Sequence, residues 1–161
     1  MISVTAEYLA EITIFRGLSP SELALVCSLL NRATYEANEI IANQGDEAQL
    51  LYIVETGECE ISIQNGSHTK PQIIATFGPT DCLGEMALID IQRRSATIKA
   101  LVPTSLLTFS NQSFLSIYDS NPATYALILN NICREISRRL RRTNIRLATV
   151  LAEQKKDLPL S

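Results

Sequence analysis

A chain of 161 residues suits one domain around one core. Its 46% apolar and 19% charged content is that of a folded globule and excludes a disordered chain. The net charge of −3 is uneven: residues 134–156 hold eight basic and two acidic residues, whereas residues 1–133 sum to −8, so the basic stretch reads as a solvated helix face or a site for an acidic partner or nucleic acid.

Residues 4–14 place Ala, Glu, Leu and Ile at helical spacing, and Gly17 ends the pattern. Ser19-Pro20-Ser21-Glu22 predicts a second helix start, with Ser19 as N-cap, Pro20 in the first position and Glu22 closing a capping box. Leu23, Val26, Leu29 and Leu30 give it one apolar stripe. From Ala33 the texture changes to short β-branched segments. Strands are expected at 33–36, 40–42, 50–54, 58–63, 72–77, 96–101 and 105–109. Gly45-Asp46, Gly57, Asn65-Gly66, Gly78-Pro79 and Pro103 separate them; Gly45, Gly57 and Gly78 read as corner glycines, and Asn65-Gly66 as a type I′ hairpin. Even spacing of short antiparallel strands implies a small sandwich or jelly roll. After Phe109 the pattern is helical again, with one helix over 112–120 and a long one begun by Asn121-Pro122, Asn121 capping it.

No apolar run approaches the ~20 residues of a membrane span. Met1-Ile2-Ser3 lacks the basic start of a secretory leader, so the expected location is cytoplasmic. Cys27, Cys59, Cys82 and Cys133 are far apart and read as reduced core thiols, which argues against a clustered-thiolate sensor. The single histidine, His68, excludes a multi-histidine metal site and reads as an exposed loop residue. No nucleophile–base pair or paired carboxylates stand out, so no enzyme is expected.

The chemically richest stretch is Gly84 to Thr97. Gly84 lets backbone approach a ligand. A helical turn at Glu85-Met86-Ala87 would aim free N–H groups at an anion. Arg94 can fork onto two phosphate oxygens and Ser95 can add a donor. Glu85 must face a donor, such as a ribose hydroxyl. Taken singly, the same residues read as a first-turn carboxylate, a solvated arginine and a turn serine.

Together, Gly84, Glu85, Ala87, Leu88, Ile89, Arg94, Ala96, Thr97, Ile98 and Ala100 resemble the phosphate-binding cassette of cyclic nucleotide-binding domains, of the catabolite-activator and protein kinase A regulatory-subunit type. Phe15-x-Gly17-Leu18-Ser19, Ile40-Ile41-x-x-Gln44-Gly45-Asp46, Leu51-Tyr52-Ile53-Val54-x-x-Gly57 and Phe77-Gly78 extend the resemblance, in order, over most of 15–110. It implies an α+β, mainly β fold: a double-stranded β-helix, or jelly-roll β-roll, over 31–110 with its cassette at 84–97. Helices over 1–30 precede it and helices over 111–155 follow. It also implies a cyclic nucleotide, cAMP or cGMP, with phosphate on Arg94, Ser95 and amides near Met86-Ala87 in a site bounded by Gly84 and Ala96. The ribose would lie on Glu85.

Leu129, Cys133, Ile136, Leu140, Thr143, Leu147 and Val150 alternate at four and three, a coiled-coil seam that predicts a homodimer through 129–150. Thr143 reads as a polar register-setter. Arg138-Arg139-Leu140-x-x-Thr143-Asn144 also resembles the dimer helix of catabolite-activator-type regulators, which implies base contacts from Thr143 and Asn144. The stretch from Asn121-Pro122 to this string is longer here, which leaves the register open. Those regulators continue into a helix-turn-helix domain, and this sequence ends at Ser161. The expectation is therefore a stand-alone sensor read by a separate, unidentified protein, or a piece of a longer regulator, with DNA binding not expected from this part alone. A ligand-free or other-anion-binding dimeric module is the alternative.

Overall fold

The computed structural model describes residues 5–66, 70–90 and 92–156, the last three by backbone alone. His68 lies outside the described residues. The N-terminal helix is shorter than expected: α1 (Ala6–Glu11) gives way to a 3-10 turn, Thr13–Phe15. Helix α2 (Pro20–Leu29) starts as its residues dictate, with both halves of the Ser19/Glu22 capping box formed.

Among the described residues eight strands follow: β1 (Asn31–Tyr35), β2 (Ile40–Ala42), β3 (Leu50–Thr56), β4 (Cys59–Ile63), β5 (Gln72–Phe77), β6 (Cys82–Leu83), β7 (Thr97–Ala100) and β8 (Thr104–Ser110). They form two four-stranded sheets, β1-β8-β3-β6 and β2-β7-β4-β5. Every pairing is antiparallel. The chain passes from one sheet to the other at each step except the β4–β5 hairpin, as in a jelly roll. Sequence reading missed β6: two residues are too short to show a period, and Cys82 and Leu83 form a strand only by pairing with Ile53 and Tyr52. Helices α3 (Asn111–Ser120) and α4 (Pro122–Lys156) complete the α+β architecture, and Asn121 caps α4 through Thr124 N–H at 3.2 Å.

Two turn expectations need correction. Residues 64–71 join β4 to β5, beginning beyond the Ile63–Gln72 pair. Only Gly66, not Asn65, has positive φ. Asn65-Gly66 is therefore not a type I′ turn, which needs both central residues left-handed. Gly78 is not left-handed either; that corner falls to Thr80, at φ 71°. Gly57 is a true corner: at φ 89°, an added Cβ would meet Thr104 Oγ1 at 2.4 Å and the Pro103 carbonyl at 2.7 Å.

The larger core cluster lies between the first sheet and the helices, and a smaller one lies between the two sheets. Leu9, Phe15, Val26, Leu51, Ile53, Phe109, Phe114, Ile117, Ile128 and Ile132 are fully or almost fully enclosed. Polar pins set the angle of α4 on this base. Asn131 Nδ2 donates to the Ile14 and Arg16 carbonyls at 3.2 and 2.9 Å, and Thr124 Oγ1 donates to Glu22. At 1.5 Å per residue, the 35 residues of α4 run roughly 52 Å. From Arg141 onward every residue whose side chain is described is exposed, including Leu147, Val150 and Leu151. Cys133 is exposed as well, so not all the thiols are core residues. The second half of the helix thus leaves the domain with its apolar stripe uncovered.

Candidate functional site

The site is built at the end of β6. The chain leaves the strand at Gly84, turns through a left-handed residue at φ 69°, and enters a 3-10 turn over Glu85–Leu88. An added Cβ at Gly84 would stand 2.1 Å from the Arg94 guanidinium, so only glycine lets that side chain occupy its position. Arg94 is carried by the segment before β7. Its N–H donates to the Asp46 carbonyl and its carbonyl accepts from Gly45 N–H, both at 2.8 Å. The corner at Gly45-Asp46 therefore holds Arg94 by its backbone.

The Arg94 guanidinium donates to the Leu50 carbonyl at 2.6 Å and lies 5.0 Å from the centre of the Tyr52 ring. The residue is 7% exposed. Among the described residues no carboxylate lies within ion-pairing distance of it. Buried charges are normally paired, because an uncompensated one costs several kcal/mol. Arg94 is thus a buried cation held by neutral partners, with its charge left to an anion.

Glu85 is equally buried, at 7%, but it is already engaged. Arg139 of α4 donates to its Oε1 at 3.1 Å, to the Cys82 carbonyl at 2.7 Å and to Glu135 Oε1 at 3.2 Å. The Arg139 guanidinium also lies 5.1 Å from the centre of the Phe77 ring. Glu135 is shared, since its other oxygen takes Arg138 at 2.6 Å.

A cavity of about 180 Å³ sits between these groups. Gly84, Glu85, Met86, Ala87, Arg94, Ser95 and Ala96 all line it, with Ile61, Ile63 and Ile74 forming an apolar wall. A second cavity of about 350 Å³ adjoins it, lined by Phe77, Arg142, Thr143 and Arg146 among others. Arg139, Ile61 and Ile74 belong to both linings, and Arg139 stands where the two meet. The structure therefore brings seven of the nine anticipated residues to one cavity and places Thr143 in the next. Asn144 is exposed and lines neither.

Three contributors escaped the sequence reading: Arg139, Tyr52 and the Leu50 carbonyl. Arg139 had a usable signal, because it lies one helical turn before Thr143 and so on the same side of α4. Tyr52 and Leu50 had none, since β3 meets Arg94 only through tertiary folding.

Residues 32–121 match the model of the cyclic nucleotide-binding domain, over more than half of the chain. The chain belongs to the cyclic nucleotide-binding domain family. A cyclic AMP receptor protein of Thermus thermophilus is 30% identical across 88% of this chain and 63% of its own length. The crystal structure of the Thermus thermophilus catabolite activator protein superposes with a TM-score of 0.74 at 30% identity, covering 86% of this chain and 62% of that one. A cyclic nucleotide-binding domain from Methylobacillus flagellatus reaches a TM-score of 0.78 at 23% identity, covering 96% of this chain and 83% of that one, which shows the fold. The chain spans a little under two thirds of the length of the first two relatives. Among the described residues, no helix is long and apolar enough to cross a membrane and no cluster of His, Cys, Asp and Glu is suited to a metal.

Proposed function

We propose that this domain is a cyclic AMP sensor whose ligand lies between the Glu85–Leu88 turn, Arg94 and α4. The observation that carries the reading is Arg94: a guanidinium 7% exposed, without an acidic partner among the described residues, lining a cavity opposite a buried carboxylate. The cyclic phosphate takes Arg94, Ser95 and the amides of Glu85 and Met86, the first of their turn and so without partners inside it. Ala87 N–H is bonded to the Gly84 carbonyl at 3.0 Å and closes the turn instead. Glu85 accepts from the ribose 2′-hydroxyl.

The smaller cavity alone is below the ~300–1,000 Å³ usual for ligand sites. Joined to its neighbour by a shift of Arg139, it reaches that range, with room for the base beside Thr143. Ligand entry then competes with Arg139 for Glu85 and biases the placement of α4, which is how occupancy reaches a partner. The seam, uncovered at Leu140, Leu147 and Val150, supports a homodimer through residues 129–150. Cyclic AMP is preferred over cyclic GMP because the 30%-identical relative is named for it.

Calorimetric titration with cyclic AMP and cyclic GMP, on the native protein and on Arg94→Ala, is the direct test. Cyclic AMP should bind the native protein and lose roughly a hundredfold or more in affinity on the variant, from two charge-assisted bonds of about 1.5–3 kcal/mol each. Equal affinity for both proteins would sink the assignment.

A further inference from the structure

The arginines of α4 do not all face the nucleotide cavity. On a different side of the helix, a groove of about 750 Å³ runs between α4 and the 3-10 turn Thr13–Phe15. Arg16, Arg134, Arg138 and Arg141 all line it, with Leu127 and Cys133 as its apolar surface. Its lining shares no residue with that of the cavity holding Glu85 and Arg94. Arg141 is two positions beyond Arg139, so it projects about 200° around the helix from it.

We propose that this groove docks an acidic peptide segment of a partner protein, and that the Glu135 carboxylate couples that docking to the nucleotide cavity. Charge is the first argument. Among the described residues, Arg16 and Arg134 have no ion pair, Arg141 has only the Ser137 hydroxyl at 3.3 Å, and Arg138 has only Glu135. Four guanidinium groups converging on one cleft repel each other until carboxylates enter. Guanidinium forks match carboxylates in a bidentate geometry. A long nucleic acid fits less well. The groove has no aromatic side chain on which bases could stack, and residues 1–133 carry a net charge of −8, which repels an extended polyanion.

Connectivity is the second argument. Glu85, Arg139, Glu135 and Arg138 form an unbroken chain of ion pairs at 3.1, 3.2 and 2.6 Å. It begins in the nucleotide cavity and ends in the groove. When a ribose hydroxyl takes Glu85, Arg139 is left with Glu135 as its carboxylate. Glu135 then turns toward Arg139 and releases Arg138 to the groove. The nucleotide therefore raises the affinity of the groove for acidic peptide, and by linkage the peptide raises nucleotide affinity by the same factor. This coupling rests on the cyclic nucleotide reading above; the docking does not.

The test is fluorescence polarisation with a labelled poly-glutamate peptide, alongside an oligo-dT of matched charge, each with and without cyclic AMP. Peptide should bind the native protein and bind more tightly than oligo-dT. Cyclic AMP should tighten it several-fold, within the usual range of allosteric couplings. Reversal of two groove charges in Arg134→Glu/Arg141→Glu should weaken binding roughly tenfold or more, with an unchanged circular dichroism melt. Glu135→Gln should retain peptide binding and lose the effect of cyclic AMP. Absence of peptide binding, oligo-dT binding at equal strength, or an indifferent double reversal overturns the docking site. Peptide affinity unmoved by a cyclic AMP that calorimetry shows to be bound overturns the coupling alone. Failure of cyclic AMP to bind at all overturns the sensor reading and the coupling, while the nucleotide-free arm still decides the docking.

Discussion

Arg139→Gln separates a structural arginine from one that guards a ligand site. The side chains of Arg139 and Glu85 are 26% and 9% exposed. Breaking a fully buried pair costs about 3–5 kcal/mol and an exposed one about 0–1 kcal/mol. This pair lies between, and Arg139 also gives up its bond to the Cys82 carbonyl and its place over Phe77, so about 2–3 kcal/mol is expected. For a chain of this size, each kcal/mol moves the melting temperature by about 2–4 °C, a fall of roughly 4–12 °C. Most of the loss is a carboxylate left buried without a partner. Two consequences follow, the first of which a purely structural role would not produce. Cyclic AMP, by supplying its ribose 2′-hydroxyl to Glu85, should raise the melting temperature of Arg139→Gln more than that of the native protein. Glu85→Gln/Arg139→Gln should recover part of the lost stability, because no charge is stranded. Scanning fluorimetry on the native protein and the two variants, with and without nucleotide, reads all of this. A single variant that melts with the native protein, or a double variant whose losses simply add, would refute the reasoning.

Gly84→Ala should fold and yet lose nucleotide affinity at least tenfold, because its Cβ would occupy the place of the Arg94 guanidinium; calorimetry checks it, and undiminished affinity would move the phosphate site elsewhere. Burial pushes the Glu55 carboxyl up, but hydrogen bonds from Arg32 and Ser105 outweigh that and hold it below its ordinary value. Its contribution to stability is therefore present above the unfolded value of about 4.3 and lost as pH falls through the lower folded one. Glu55→Gln should accordingly destabilise the protein near neutrality and flatten its stability–pH curve in that acid window, as read by denaturant titration across pH. Leu140→Glu/Leu147→Glu puts charges into the uncovered seam, where the native leucines are 58% and 55% exposed. Light scattering should report a dimer for the native protein and a monomer for the variant; a native monomer ends the dimer proposal.

The legibility of the fold followed the range of the interactions that set it. Ser19, Glu22 and Asn121 cap helices through groups three residues away, so their roles were readable directly. The longer strands were readable because apolar and β-branched runs stand between evenly spaced turn residues; β3 and β8 are in fact buried at four successive positions rather than alternately. The connection at 64–71 was misjudged because Asn65-Gly66 favours a tight turn locally, whereas the β4–β5 register decides where the strands part. Gly78 was misjudged because the left-handed residue of that corner is Thr80, held by its N–H bond to the Val54 carbonyl at 2.9 Å. Of the site, the order of Gly84, Glu85, Arg94 and Ser95 was visible in the chain, since one loop carries all of them. Arg139 comes from a helix more than forty residues downstream and owes its place to the angle of α4.

By itself, the sequence determined which groups line one cavity together, because their spacing within one short loop limits how far apart they can lie. It also determined that the last helix is long and striped, because no Gly or Pro interrupts it between Pro122 and Pro159. Only the tertiary structure decided that Arg94 is buried without an acid among the described residues, that Glu85 is already held by Arg139, and that Glu135 spans the two faces of α4. Those facts depend on how a helix is seated against two sheets, and the seating is set by Thr124, Asn131, Ile128 and Ile132 contacting residues distant in the chain. No local pattern encodes such contacts.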